Sequence, residues 1–191
     1  IMICDDRNFI FVRVAKTGSS SIIKVLFPKK TWRLRTKVND WEKFDPNHYP
    51  LFKIKEVISK EKYESYFKFA FTRNPYDRCV SAWKYSLKMG FTNSENNFPN
   101  YVKQLNRNTT DAKYFGQYEF VEGCDFVGKL ENLQEDFNIV CNKIGIPQQQ
   151  LRHENKTEHK HYTEYYDDET EQIVLERYAK DIEYFGYEFG K

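Results

Sequence analysis

The sequence contains little cysteine, and none of it is clustered. Its four cysteines, Cys4, Cys79, Cys124 and Cys141, are far apart and form no CxxC pair. This spacing argues against a zinc knuckle or a dense disulfide framework and fits a reducing compartment, while leaving room for one or two bridges.

A long hydrophobic run is absent as well. No stretch of about eighteen apolar residues occurs, so the sequence predicts no membrane-spanning segment, and no signal peptide is recognisable. We expect a cytoplasmic location. Because the sequence begins at Ile1 rather than at Met, a Golgi-lumen or membrane-anchored form whose anchor has been trimmed stays open.

The sequence also lacks a large excess of positively or negatively charged residues. There are 30 Lys and Arg residues against 28 Asp and Glu, and the formal net charge of +2 predicts no nucleic-acid partner. Hydrophobic residues make up 40% of the 191 residues and aromatic residues 17%, which excludes a disordered chain. Length and composition predict one packed domain over residues 1–191, but they do not indicate an oligomeric state.

What the chain does contain is a repeated strand–loop–helix pattern. Phe9 to Val14 is apolar without clean alternation, which is typical of a strand buried on both faces of a parallel sheet, and helical spacing follows from Ser19 to Phe27. Phe67 to Thr72 and then Asp77 to Met89 repeat this order. Further elements are predicted at Ile54 to Tyr66 (helix), Tyr101 to Leu105 (short helix), Asp125 to Leu130 (strand), Leu133 to Ile144 (helix) and Asp168 to Phe185 (helix). The alternation of strands and helices predicts an α/β fold.

The first loop carries Lys16, Thr17, Gly18, Ser19, Ser20 and Ser21. Amide groups at a helix N-terminus lack intrahelical partners, and the helix dipole favours an anion there. Gly18 allows close approach, the hydroxyls can donate, and Lys16 adds a positive charge. A nucleoside-triphosphate P-loop would place its lysine after a second glycine, whereas Lys16 precedes the only glycine. A plain polar turn with a serine cap is the alternative.

The second junction suggests a second anion site. Arg73 follows the predicted strand, and Ser81 lies eight residues further on in the predicted helix. An arginine can hold a phosphate with two parallel hydrogen bonds, and Ser81 could reach the same group. The alternative is that Arg73 pairs with Asp77 or Glu64. Two anion sites at neighbouring strand ends suit a ligand with two separated anionic groups.

Three segments together resemble a known family: VAKTGSSSI, FKFAFTRNPYDRCVSAW and FVGKLENLQEDF. They are similar to sulfotransferases that use 3′-phosphoadenosine 5′-phosphosulfate (PAPS), in particular the carbohydrate, Golgi-type and heparan 2-O-like branch and its bacterial relatives. The resemblance implies a P-loop-like three-layer α/β/α fold with a central, mostly parallel sheet. It also implies PAPS as co-substrate, adenosine 3′,5′-bisphosphate as product, and no metal.

The resemblance also implies roles for individual residues. The loop from Lys16 to Ser21 would hold the 5′-phosphosulfate, and Arg73 with Ser81 would hold the 3′-phosphate. Lys156 and Thr157 resemble a late family loop near the nucleotide, although a solvated turn is an equal alternative. This chain departs from many relatives at two places, where Leu130 stands for an aromatic residue and Lys113 for a histidine, while Gln117 matches.

Sulfuryl transfer is an in-line displacement in which Lys16 would stabilise the leaving group. The hydroxyl acceptor, which the family suggests is a saccharide, needs a base. His48 is the only histidine between the two anion motifs, and we expect it to be that base, with Glu42 or Glu56 as the fallback. Two other functions stay open: a P-loop-type nucleotide kinase or NTPase, and a non-catalytic nucleotide- or glycan-binding module.

Overall fold

The computed structural model describes residues 2–28, 48–92, 97–105, 115–152 and 160–191. Their strands are β1 Met2–Cys4, β2 Phe9–Val12, β3 Phe67–Thr72 and β4 Phe126–Lys129. Their α-helices are α1 Ser19–Leu26, α2 Leu51–Val57, α3 Lys60–Ser65, α4 Pro75–Lys88, α5 Phe98–Lys103, α6 Gln117–Val121, α7 Leu133–Lys143, α8 Asp168–Arg177 and α9 Ala179–Phe185. Short 3₁₀ turns occur at Asp5–Arg7, Leu130–Asn132 and Tyr162–Tyr165.

The chain divides into two compact units. The first comprises Ile1–Thr72 and Thr110–Asn155, and the second comprises Arg73–Thr109 and Lys156–Lys191. All of the strands named above belong to the first unit, whereas α4, α5, α8 and α9 belong to the second.

The first unit is built on a sheet with the strand order β1-β2-β3-β4. β1 pairs antiparallel with β2, whereas β2 with β3 and β3 with β4 are parallel, with Val12 opposite Ala70 and Thr72 opposite Lys129. The carboxyl ends of β2, β3 and β4 therefore share one edge of the sheet. The predicted α/β class, with a mostly parallel, P-loop-like sheet, is confirmed.

Burial explains the lack of alternation in the central strands. Every residue of β2 is buried, and β3 is buried from Lys68 to Thr72. The rings of Phe11 and Phe69 stack with their centroids 5.0 Å apart. Helices α1 and α7 complete this core with Ile22, Phe137 and Val140. Because both faces of these strands contact apolar side chains, the sequence reads as a continuous hydrophobic run.

In the described residues of the second unit, an aromatic cluster packs the helices together. Trp83 of α4, Phe98 of α5 and Tyr165 pack edge to face, with centroids 5.5–6.0 Å apart. Helix α8 begins with a capping box, in which Asp167 and Thr170 bond each other's backbone amides. Aromatic pairs of this kind contribute about 0.5–1.5 kcal/mol each beyond the area they bury.

Several predicted bounds are wrong. The first strand ends at Val12 rather than Val14. The predicted helix Ile54 to Tyr66 is two helices, because Ser59 caps α3 by accepting a hydrogen bond from the Lys62 amide (3.2 Å). The last predicted helix is also broken, at Tyr178. Strand β1 and helix α6 were not predicted at all.

Two further observations concern the described residues as a whole. None of their helices combines the length and the hydropathy that a membrane crossing needs. The four cysteines all lie in the described segments and are free thiols rather than disulfides.

Candidate functional site

The loop between β2 and α1 has an unusual backbone. Lys16 has φ +69° and Gly18 has φ +75°, so two positions in three adopt the left-handed conformation. For a residue with a Cβ this conformation costs roughly 1–2 kcal/mol. A strained backbone of this kind, held in place by its surroundings, is typical of a functional loop.

The helix that follows presents its N-terminus without an acidic group. Gly18 is the N-cap of α1, no side chain caps the helix, and the first turn contains Ser19, Ser20 and Ser21 but no Asp or Glu. The Ser21 amide donates to the Gly18 carbonyl (3.1 Å). The first-turn amides and the helix dipole make this end of α1 chemically suited to an anion.

Gly18 is required by space as well as by its φ angle. A Cβ added there would lie 2.7 Å from Cδ1 of Leu130 and 3.2 Å from Cδ2 of Leu133. Leu130 therefore packs against the loop. A side chain at position 18 would therefore require the leucine side chains or the loop to shift.

Two hydroxyls of the loop make hydrogen bonds within the protein. The Thr17 hydroxyl is buried and donates to the Val14 carbonyl (3.0 Å), and Ser19 Oγ accepts from Arg13 Nε (3.0 Å). Lys16 and Ser20 are partly exposed. Thr17 and Ser19 thus brace the loop, and the prediction that their hydroxyls bind a ligand stays a prediction.

His48 lies beside this loop although it is far away in the sequence. Its Nδ1 is 3.0 Å from the carbonyl oxygen of Arg13, and the ring is half-buried. A carbonyl oxygen only accepts hydrogen bonds, so Nδ1 carries a proton. In the neutral ring the lone pair that a base needs is then on Nε2.

Arg13 is the residue at this site that the sequence prediction missed. It follows β2 directly, its guanidinium donates to Ser19, and its carbonyl accepts from His48. Its only signal in the sequence is a charge placed at the end of an apolar run. Arg13 thus connects the predicted base to the predicted anion loop.

The second unit contains Arg73 and Ser81. Both Nε (2.8 Å) and Nη2 (2.7 Å) of Arg73 donate to one carboxylate oxygen of Asp77. The alternative prediction that Arg73 pairs with Asp77 is therefore confirmed, and this pairing leaves its role toward a phosphate untested. Ser81 is buried within α4, and Arg73 precedes that helix by two residues.

The other predicted residues fall into two groups. Lys156 and Thr157 lie outside the described residues, as do Glu42 and Lys113. Glu56, the fallback base, is exposed on α2 and paired with Lys53 Nζ (2.8 Å). Gln117 is fully buried at the start of α6. Among the described residues, no group of three or more His, Cys, Asp or Glu side chains could hold a metal.

Comparison with known proteins gave two findings. A family model described as "Sulfotransferase family" matches residues 1–188, a range that includes both strand–loop–helix junctions and His48. An uncharacterized protein of Archaeoglobus fulgidus is 32% identical over 105 residues, which are 52% of this chain and 85% of that protein.

Proposed function

The chain belongs to the sulfotransferase family, and from that premise we propose that it transfers a sulfuryl group from PAPS to a hydroxyl of a saccharide. The observation that carries the proposal is the hydrogen bond between His48 Nδ1 and the Arg13 carbonyl (3.0 Å). This bond joins His48, the predicted base, to Arg13, which directly follows β2 and precedes the predicted anion loop.

The loop fits the 5′-phosphosulfate of PAPS. Gly18 and Lys16 turn the backbone so that α1 starts directly after the loop, and no carboxylate in the first turn opposes an anion. Lys16 is partly exposed, so its ammonium can reach a bound group. Ser20 and Ser21 complete the set of residues that we assign to this group.

The 3′-phosphate is assigned to Arg73 and Ser81. Arg73 directly follows β3, and β3 pairs in parallel with β2, whose end leads into the loop. A phosphate dianion would compete with Asp77 for the Arg73 guanidinium, which has five N–H donors. Lys156 and Thr157 are proposed as further nucleotide contacts on the resemblance alone.

In the proposed mechanism each residue moves or neutralises one charge. PAPS supplies a sulfuryl group on a phosphate that is a good leaving group. His48 accepts the proton of the acceptor hydroxyl at Nε2, while that oxygen bonds to sulfur and the bond from sulfur to the 5′-phosphate oxygen breaks. Lys16 neutralises the charge that develops on the departing oxygen, and the amides of the loop stabilise the sulfuryl oxygens.

A thermal-shift titration tests the donor. We expect adenosine 3′,5′-bisphosphate, without metal, to raise Tm, because a ligand that binds only the folded state stabilises it. ATP with Mg²⁺ should not match this shift, whereas a nucleotide kinase or NTPase would give the reverse order. No shift with the bisphosphate would overturn the proposed donor.

A transfer assay with labelled PAPS and a panel of saccharides tests catalysis. We expect His48→Ala to lower the transfer rate by about 10²–10⁴-fold, the usual contribution of a general base, while bisphosphate affinity stays within about threefold. Glu56→Gln serves as the control at the fallback position. Normal transfer by His48→Ala would show that the base lies elsewhere, and a wild-type protein that binds but never transfers would be a binding module.

A further inference from the structure

Asn74 follows Arg73, and both the oxygen and the nitrogen of its side-chain amide make hydrogen bonds. Its Oδ1 caps α4 by accepting a hydrogen bond from the Tyr76 amide (3.1 Å). Its Nδ2 donates to the backbone oxygens of Glu188 (2.9 Å) and Lys191 (3.1 Å). Only 2% of Asn74 is exposed. A helix cap needs only an oxygen, so capping does not account for the hydrogen bonds from Nδ2 to Glu188 and Lys191.

Tyr162 holds the same C-terminal segment from a second direction. Its hydroxyl accepts from the Gly190 amide (2.8 Å), donates to the Lys191 oxygen (3.2 Å) and lies 3.4 Å from Asn74 Nδ2. The Phe189 ring packs edge to face on Tyr76, with centroids 5.0 Å apart. We name Asn74, Tyr162 and residues 188–191 the C-terminal clamp.

The clamp acts on the turn of helix that sets the position of Arg73. Asp77, which receives two hydrogen bonds from the Arg73 guanidinium, lies in the first turn of α4. The Arg78 amide donates to the Asn74 carbonyl (2.8 Å), so Asn74 is also part of that turn. Tyr166 supports it too, since its hydroxyl donates to the Tyr76 carbonyl (2.9 Å).

We propose that Asn74 and Tyr162 are positioning residues for the second anion site: the C-terminal clamp fixes the first turn of α4 and thereby the direction in which Arg73 presents its guanidinium. The inference rests on the proposed function, in which Arg73 holds the 3′-phosphate. Residues 188–191, which lie more than a hundred positions after Arg73, then contribute to the affinity for the donor without contacting it.

The test uses two variants that each remove one part of the clamp. Asn74→Ser keeps a capping oxygen, because serine is among the best N-caps, but it loses the amide that reaches residues 188–191. Tyr162→Phe keeps the ring and loses the hydroxyl. The matched control is Tyr66→Phe, which removes the hydrogen bond from Tyr66 to Asp5 in the first unit (2.7 Å).

Two nucleotides separate positioning from general loosening. Adenosine 3′,5′-bisphosphate carries the 3′-phosphate, whereas adenosine 5′-monophosphate lacks it. By calorimetric titration we expect each clamp variant to bind the bisphosphate about 3–10-fold more weakly, the loss expected for one or two hydrogen bonds, and the monophosphate within about twofold of wild type. KM for PAPS should rise by the same factor with kcat unchanged.

Other outcomes would overturn the inference, or the proposed donor site together with it. Equal weakening of both nucleotides, or a lower Tm with unchanged affinities, would overturn the inference and leave the clamp a structural contact. Weakening in Tyr66→Phe as well would overturn it for the same reason. If wild-type protein binds both nucleotides equally, Arg73 does not hold a 3′-phosphate, and the proposed donor site fails together with the inference.

Discussion

At the scale of single residues, Lys16 has a backbone role and a side-chain role that can be separated. Its left-handed conformation (φ +69°) is unfavourable for any residue with a Cβ, and glycine is the residue that adopts it without strain. Retaining lysine there therefore lowers stability relative to glycine. A lysine at such a strained position is expected where its charge has a role in binding or catalysis.

Substituting Lys16 with glycine or alanine tests this separation. We expect Lys16→Gly to have a free energy of unfolding about 1 kcal/mol higher than Lys16→Ala, because only glycine relieves the strain. Both variants should lose transfer by about 10²–10³-fold, since both lack the ammonium. Urea unfolding and the transfer assay provide the measurements. Equal stability of the two variants would show that the loop relaxes around alanine.

Gly18 makes the complementary prediction. We expect Gly18→Ala to destabilise the protein by about 1–3 kcal/mol, because the methyl group would lie 2.7 Å from Leu130 and the φ angle of +75° becomes unfavourable. Thermal unfolding measures this loss. Gly145→Ala is the control, because it has a similar φ of +69° but no atom within 4 Å of the added Cβ. If Gly18→Ala and Gly145→Ala lose the same stability, the leucine side chains move aside without cost.

At the scale of elements, the sequence predicted those helices and strands whose positions depend on interactions between residues that are close in the chain. β2 and β3 lie within the apolar runs that predicted them, and α4 begins at Pro75, two residues before its predicted start at Asp77, because burial and capping act over a few residues. β1 has only three residues and depends on pairing with β2, which no local period reveals. Tyr178 breaks the last helix without a Gly or Pro to signal the break.

The candidate site also has parts that were predictable from neighbouring residues and parts that were not. The loop was predictable because its residue types and its place after a strand carry the signal. The hydrogen bond between His48 and Arg13 was not, because it joins residues 35 positions apart. The pairing of Arg73 with Asp77 was one of two alternatives, and the helical i to i+4 spacing of these residues makes it the simpler one.

The capping box of α8 predicts how stability depends on pH. Hydrogen bonds from the Thr170 hydroxyl and amide lower the pKa of the Asp167 carboxyl. A carboxyl whose pKa is lower in the folded state contributes stability above its unfolded pKa and loses that contribution as the pH falls through the folded pKa. The cap should therefore stabilise the protein at neutral pH and fail in acid.

Replacing Thr170 with valine tests this. We expect Thr170→Val to lower Tm at pH 7 by at least about 2–4 °C, the shift for one hydrogen bond in a protein of this size, because the bonds of the Thr170 hydroxyl with the Asp167 amide, carbonyl and carboxylate are lost. The difference from wild type should shrink below about pH 4, where Asp167 begins to be protonated. Asp168→Asn, which removes a neighbouring carboxylate in the same first turn, is the control. A difference that stays constant with pH would contradict this account.

At the scale of the whole molecule, stability depends on packing rather than on covalent links. All four cysteines are thiols, and Cys79 and Cys141 are buried. Burial raises the pKa of the Cys79 thiol to about 12, which keeps it protonated and unreactive at neutral pH. The protein should therefore tolerate reducing conditions without loss.

Thiol titration measures this directly. We expect four thiols to react with a disulfide reagent after denaturation, while Cys79 and Cys141 stay unreacted in the folded protein because the reagent cannot reach them. Dithiothreitol should leave Tm unchanged. Fewer than four thiols in the denatured, unreduced protein would reveal a disulfide, and the accompanying fall in Tm on reduction would measure its contribution.

The short outer strands of the sheet have a consequence for self-association. In the described part of the chain, β1 and β4 form the two sides of the sheet with three and four residues, and charged residues follow β1 directly at Asp5–Arg7. An exposed strand templates aggregation through its row of unpaired backbone groups, and natural proteins shorten or charge such strands to prevent it. The buried strands β2 and β3 are enclosed between these short outer strands, which disfavours edge-to-edge association of the described sheet.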